Sequence, residues 1–185
     1  GGGMWKELIL TICNDMKEPA VCLPTGLLAG CLFLLFSYSR DRGMGRKGSL
    51  PCRFIFVVYL TVLIYNVYFS REPGSRAGVS LELFGTWGET VASKGYVIEN
   101  ILLFIPYGML VPGSIPLFKK GIACVLSAAL FSIAIELAQL ATGRGYCQLD
   151  DVVMNTIGAV FGWACWRVGI GLWGRGSGDK EAKKD

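Results

Sequence analysis

Residues 123–141 read ACVLSAALFSIAIELAQLA, an apolar run that contains the carboxylate of Glu136 and, three residues further on, the amide of Gln139. A bilayer core about 30 Å thick needs roughly 17 to 25 apolar residues in one helix. A carboxylate at membrane depth is costly without a partner, so an ionisable residue there is a candidate functional residue. The stretch therefore predicts a transmembrane helix with a polar site.

The chain as a whole is too apolar for an ordinary soluble domain. Of its 185 residues 52% are hydrophobic and 17% are charged, and its mean hydropathy is +0.48. Its basic residues flank apolar segments and form no stripe on a polar fold, which argues against a nucleic-acid partner. The absence of histidine excludes Ser-His-Asp and Cys-His catalysis. We predict no cofactor and no metal site.

Five segments have the length and composition of membrane spans. These predicted spans are residues 20–39, 54–70, 96–118, 121–141 and 152–166. The predicted fold class is an all-α integral membrane protein, a bundle of five transmembrane helices. An N-terminal interfacial amphipathic helix precedes the bundle.

The spans divide the chain into four parts. Residues 1–19 combine an expected tag remnant, the first three glycines, with the amphipathic helix, in which apolar residues recur at helical spacing. Residues 20–70 hold the first two spans. Residues 71–173 form the core, an outer loop plus three spans, and residues 174–185 read as a disordered cytoplasmic tail. The apolar residues of the amphipathic helix are Trp5, Leu8, Ile9, Ile12 and Met16.

Charge asymmetry sets the predicted orientation. Twelve of the 18 Lys and Arg residues, but only four of the 14 Asp and Glu residues, fall on one side of the five spans. Lys and Arg are enriched in cytoplasmic loops. We therefore expect the N-terminus outside and the C-terminus in the cytoplasm. The outer loop, residues 71–95, reads either as a lid over the bundle or as a plain connector.

Polar side chains from three spans converge on the outer half of the bundle. Asp151 and Asn155 share a helix face and should point into the bundle, whereas Asp150 should lean toward water. An Arg144 bridge to Glu136 or Asp151 is expected. The candidate binding residues are Glu99, Asn100, Glu136, Gln139, Arg144, Asp150, Asp151 and Asn155.

Glycine and proline shape the same helices. Gly158 and Gly162 form a G-x-x-x-G pair, which lets another helix approach closely. Pro106, followed by Gly108, removes a helical hydrogen bond, which predicts either a break that lines a hydrated outer pocket or a simple bend. These four residues are the candidate structural residues of the site.

Three segments stand in order along the chain: ENILLFIPYG at residues 99–108, IELAQ at 135–139, and GR at 143–144 followed by DDVVMNTIG at 150–158. In this order and spacing they resemble the VanZ-like family over about residues 71–166. Gln148 stands where an acid is expected and Leu83 where the loop often has proline; the former weakens a fixed metal site. By the resemblance, the family's characteristic residues are Asn100, Phe104, Pro106, Gly108, Glu136, Gln139, Arg144, Asp151, Asn155 and Gly158.

The resemblance implies lowered susceptibility to teicoplanin and related lipoglycopeptides, through less drug at the cell surface. One hypothesis is a binding module for an amphiphile: a membrane lipid, a lipoglycopeptide or a lipid-linked wall precursor, with Arg144 pairing with its phosphate or carboxylate.

Two other hypotheses stay open. The protein could be an enzyme acting on a lipid or wall precursor, in which Glu136 and Asp151 form an unequal carboxylate pair, or hold Mg²⁺ or Ca²⁺ together with Glu99 and Asn155. We lean against an enzyme, because no nucleophile or base stands out beyond the acids. Alternatively, the polar residues form a buried network that only fixes helix register.

Overall fold

The computed structural model describes residues 6–11, 21–41, 50–74, 76–83 and 90–181. Of the predicted amphipathic helix, Trp5, Ile12 and Met16 lie outside these residues. The described part is mostly helical, as the sequence predicts, with one short pair of strands. Its elements are α1 (residues 6–11), α2 (Leu23–Asp41), α3 (Leu50–Ile64) with a π-helical turn (Tyr65–Phe69), β1 (Arg76–Ser80), α4 (Val91–Ser114), a 3-10 turn (Pro116–Lys119), α5 (Gly121–Thr142), β2 (Arg144–Gln148) and α6 (Leu149–Glu181).

Within the described residues, three helices are long and apolar enough to cross a membrane: Leu50–Phe69, Ser93–Ser114 and Gly121–Thr142. They correspond to the second, third and fourth predicted spans. A further apolar helix, Leu23–Ser37, is shorter. Many large apolar side chains on these helices are exposed, as expected for surfaces that face lipid. By length and composition, the chain is a membrane protein.

Local signals set the ends of two of these helices. Thr90 caps α4, because its side-chain oxygen accepts a hydrogen bond from the Ser93 N–H at 3.2 Å. Gly143 ends α5 in the left-handed conformation, with φ of 63°, which glycine adopts without strain. The chain therefore leaves α5 directly into β2, close to the end of the helix.

The last helix is longer than the predicted span 152–166. α6 has 33 residues, a rise of about 50 Å, and exceeds the thickness of a bilayer core. Its described backbone is helical through Glu181, whereas the sequence predicts a disordered tail from residue 174. Extending a formed helix adds a hydrogen bond for each residue without a new nucleation cost.

Helices α4 and α6 pack with their backbones in contact. A Cβ atom at Gly158 would collide with the carbonyl oxygen of Ile101, and one at Gly162 with that of Ile105. On the opposing helix, a Cβ at Gly108 would collide with the carbonyl oxygen of Ala159. The structure thus places α4 where the G-x-x-x-G spacing predicts a neighbouring helix.

Proline does not break α4. The helix runs without interruption from Val91 to Ser114 through Pro106 and Pro112, so the predicted break is absent. The Tyr59 hydroxyl of α3 donates a hydrogen bond to the Leu103 carbonyl at 2.7 Å, within the turn that Pro106 weakens. Aromatic packing supports the same region, since Tyr107 stacks on Phe131 of α5 with ring centroids 5.7 Å apart.

A two-stranded parallel sheet, which the all-α prediction missed, closes one end of the bundle. β1 pairs with β2 in the register Arg76↔Arg144 to Ser80↔Gln148. The Gly74 N–H also donates to the Thr142 carbonyl at 3.2 Å. Part of the loop over residues 71–95 is therefore fixed to the connection between α5 and α6.

Candidate functional site

The predicted polar residues lie at the end of the bundle where α5 ends, α6 begins and β1 pairs with β2. We call this the polar end. Asn100 of α4, Glu136 and Gln139 of α5, and Asp151 and Asn155 of α6 all have partners there, as described below. The 3-10 turn between α4 and α5 lies at the opposite end, where the Trp163 indole N–H donates to the Lys119 carbonyl at 3.3 Å.

Glu136, the carboxylate inside the apolar run, is buried. Its side chain is 3% exposed, and its Oε2 accepts a hydrogen bond from the Gln148 backbone N–H at 2.9 Å. Ser132, Glu136 and Gln139 are all buried, as expected for one face of α5 turned toward the other helices. The carboxylate therefore fixes the junction of β2 and α6 to α5.

Two amide side chains connect α6 to its neighbours. The Asn100 Nδ2 donates to the Asp151 Oδ1 at 2.8 Å, and the Asn155 Nδ2 donates to the Ser132 Oγ at 2.8 Å. The first bond joins α4 to α6 and the second joins α5 to α6. The Asn155 Oδ1 is buried without a hydrogen-bond partner.

Gln139 connects α5 to the π-helical turn that ends α3. Its Nε2 donates to the Val67 carbonyl at 2.6 Å, while its Oε1 is buried without a partner. That Oε1 would lie 3.2 Å from a Cβ at Gly145. Two buried amide oxygens, those of Gln139 and Asn155, are thus unsatisfied in the same part of the bundle, and each such group calls for an explanation.

Arg144 does not form the expected bridge to Glu136 or Asp151. Its Nη1 donates instead to the carbonyls of Tyr68, at 3.0 Å, and Arg71. Its guanidinium carbon also lies 4.8 Å from the centre of the Tyr68 ring. The carbonyls that end a helix carry partial negative charge and attract a cation. Its Nε is buried without a hydrogen-bond partner, so these carbonyls do not use all of its donors, and the pairing with a ligand phosphate stays a prediction.

Arg71 supplies the positive charge that acts on both Glu136 and Asp151. Its Nη1 would lie 2.7 Å from a Cβ at Gly145, in the strand beside them. Arg71 was not among the predicted site residues, because it reads as an ordinary loop residue in the sequence. The available signal was its position: it follows α3 immediately, on the side of the bundle predicted to hold the acids.

Two further acids were predicted at this site. Asp150 was expected to lean toward water, but its side chain is only 3% exposed, so that prediction is wrong. It lies in the first turn of α6, directly after β2. Glu99 is half-buried on α4 and takes part in interactions there.

The pKa of the Cys147 thiol on β2 depends on the charges of this site. Burial raises the pKa of the Cys147 thiol, and the charges of Glu136 and Asp151 raise that pKa further. In a variant that keeps Cys147 as the only cysteine, Glu136→Gln should lower this pKa and speed alkylation at pH 8, because the thiolate is the reactive form. Alkylation kinetics of the purified protein measure this, and Glu82→Gln, an exposed acid after β1, is the control. An unchanged rate in Glu136→Gln would place Glu136 too far away to act on the thiol.

Comparison with known proteins identifies one family. The VanZ/LLP1 family model matches residues 56–171, more than half of the chain. The chain belongs to the VanZ/LLP1 family. No curated protein and no solved structure matches it.

The VanZ/LLP1 match begins inside α3 and ends inside α6. It therefore includes both strands, the π-helical turn and every candidate site residue, and it leaves out α1 and α2. The candidate site residues of this VanZ/LLP1 chain thus all lie in the matched region.

The divalent-metal alternative finds no support in the described part of this VanZ/LLP1 chain. No group of three or more His, Cys, Asp or Glu side chains there is arranged to hold a metal ion.

Proposed function

We propose that this protein lowers susceptibility to teicoplanin and other lipoglycopeptides by binding an amphiphile at the polar end, which reduces the drug at the cell surface. The ligand is a membrane lipid, a lipoglycopeptide or a lipid-linked wall precursor. The protein acts by binding and does no chemistry. Its family supports the link to resistance, and the polar end supports the binding role.

One observation carries the binding role. The buried oxygens of Gln139 and Asn155 lack partners on either side of the buried carboxylate Glu136. A network that only fixed helix register would be expected to satisfy its own buried acceptors, since each unsatisfied one costs about 1–3 kcal/mol. A ligand that carries hydrogen-bond donors can bind to such unpartnered acceptors at the end of a membrane bundle.

The proposed topology places the polar end outside the cell. Five spans, with α2 and α6 as the first and fifth, put the N-terminus outside and the C-terminus in the cytoplasm. Lys119 and Lys120 at the opposite end and Arg167 on α6 then face the cytoplasm, as the enrichment of basic residues predicts. Residues 6–11 of α1 would lie at the outer interface, with Leu8 buried and Ile9 exposed.

Resistance assays test this proposal directly. Expression in a susceptible host should raise the teicoplanin concentration needed to stop growth, with a smaller effect for a glycopeptide that lacks the acyl chain. Glu136→Gln should remove most of this protection, because it removes a buried charge from the site while keeping an oxygen for the Gln148 N–H. Arg144→Ala should do the same by releasing the end of α3. Glu82→Gln should protect like the unaltered protein.

Two measurements separate the proposal from its alternatives. Thermal melts of the detergent-solubilised variants reveal a purely structural role, which predicts that protection is lost only together with folding. Mass spectrometry of lipid extracts reveals an enzyme, which predicts a modified lipid or precursor in expressing cells. Full protection by well-folded Glu136→Gln and Arg144→Ala proteins would contradict the binding proposal.

A further inference from the structure

Resting on the proposed function, we infer that the ligand presents a primary ammonium group to the carboxylates of the polar end. The ammonium is the polar part of the amphiphile, and the apolar part lies in the membrane.

The balance of charge at the polar end favours a cation. Glu136 accepts a hydrogen bond from the Gln148 N–H, and Asp150 and Asp151 follow Gln148 in the first turn of α6, so three carboxylates gather at this junction. Arg71 is the cation that acts on Glu136 and Asp151. The Arg144 guanidinium lies over the Tyr68 ring, where its Nη1 donates to the carbonyls of Tyr68 and Arg71 and its Nε is buried without a partner. A ligand anion here would face several carboxylates, whereas a cation would be attracted by them.

The unpartnered hydrogen-bond acceptors at the polar end favour the same ligand independently of charge. Gln139 and Asn155 are both more than nine-tenths buried, and in each the amide nitrogen is bonded while the amide oxygen is not. Gln139 lies one turn from Glu136 on α5, and Asn155 is bonded to Ser132, one turn from Glu136 in the other direction. The unused amide groups that flank the carboxylate are therefore acceptors.

The carboxylates add to the acceptors. Glu136 accepts the Gln148 N–H through Oε2 and Asp151 accepts the Asn100 amide through Oδ1, and an ionised carboxylate can accept through both of its oxygens. A primary ammonium carries three donors and no acceptor. A phosphate or carboxylate brings only acceptors, which would leave the amide oxygens unsatisfied. A divalent metal ion is not favoured, because the described residues offer no three-residue group for it.

Binding of simple probes tests the inference. The full chain in nanodiscs of phosphatidylcholine and phosphatidylglycerol should bind decylammonium at least about tenfold more tightly than N-decylacetamide, which lacks the charge. Decyltrimethylammonium, which has the charge but no N–H donor, should also bind at least about tenfold more weakly. Decyl phosphate should not compete. Isothermal titration provides the affinities.

Two variants locate the probe. Glu136→Gln and Asp151→Asn keep the oxygens that accept from Gln148 and Asn100, and each should weaken decylammonium binding about tenfold or more, while Glu82→Gln should not. If both variants fail to fold, the probe series on the unaltered chain still decides. Equal binding of decylammonium and N-decylacetamide, competition by decyl phosphate, or unchanged affinity in both folded variants would overturn the inference.

Two further measurements identify the molecule that carries the ammonium group. Retention of phosphatidylethanolamine over phosphatidylglycerol after purification would identify a membrane lipid. Loss of lipoglycopeptide binding when the amines of the drug are acetylated would identify the drug. Protection from teicoplanin without preferential binding of ammonium would overturn this inference but not the proposed function. Preferential binding of ammonium without protection would overturn the proposed function but not this inference.

Discussion

Gly158→Leu is expected to abolish most of the folded protein. A Cβ at this position would collide with the carbonyl oxygen of Ile101, and it would lie 3.1 Å from the Cα of the same residue. Because these are backbone atoms, the clash is relieved only if α4 and α6 separate. Overpacked substitutions typically cost about 1–3 kcal/mol, and one that moves two helix backbones should cost at least about 3 kcal/mol. Thermal unfolding and gel filtration in detergent measure the loss.

The same helix provides the control. A Cβ at Gly169 or Gly171 has no atom within 4 Å, so leucine at either position should leave the melting temperature nearly unchanged. The pair of results separates backbone contact from the helix propensity of glycine, which the controls share. A Gly158→Leu protein that melts like the Gly169→Leu protein would show that α4 and α6 are not packed as described.

Asn100→Leu is expected to destabilise the bundle by about 2 kcal/mol, because it leaves the Asp151 Oδ1 without the donor that lies 2.8 Å away. The carboxylate sits between helices, where water replaces a lost partner poorly. We expect a lower melting temperature with the helix content retained. Circular dichroism of the detergent-solubilised variant measures both quantities.

A double-mutant cycle isolates this bond. Asn100→Leu combined with Asp151→Leu should recover part of the loss, with a coupling of about 1–2 kcal/mol, because the second change removes the stranded carboxylate. Thr156→Val removes only a hydrogen bond to the Val152 carbonyl within α6, and is expected to have a small effect. If the two single changes add without coupling, the Asn100–Asp151 bond contributes nothing to stability.

Much of the helical part could be predicted from apolar length and from periodicity. The long apolar runs became α3, α4 and α5, and the face of α5 that carries Ser132, Glu136 and Gln139 is buried. These features are local, since a helix fixes which residues share a face and a bilayer fixes how many apolar residues a span needs. The Gly158 and Gly162 spacing likewise specified a close neighbour, without saying which helix it would be.

The partners of the site residues could not be predicted this way. Arg144 was expected to pair with a carboxylate, yet it bonds to carbonyls at the end of α3, and Arg71 acts on the carboxylates instead. Asp150 was expected to face water and is buried. Each of these outcomes depends on where the end of α3 and the strand β2 lie in space, and no periodicity within a single segment carries that information.

The sequence by itself determined that this is a helical membrane protein with polar residues gathered at one end of its bundle, because apolar length and helical spacing are properties of contiguous residues. Only the tertiary structure decided the parallel pairing of β1 with β2, the choice of Arg71 over Arg144 as the cation beside Glu136 and Asp151, and the two amide oxygens left without partners. Hydrogen bonds and ion pairs between distant segments depend on distances of a few ångströms, and only packing fixes those distances.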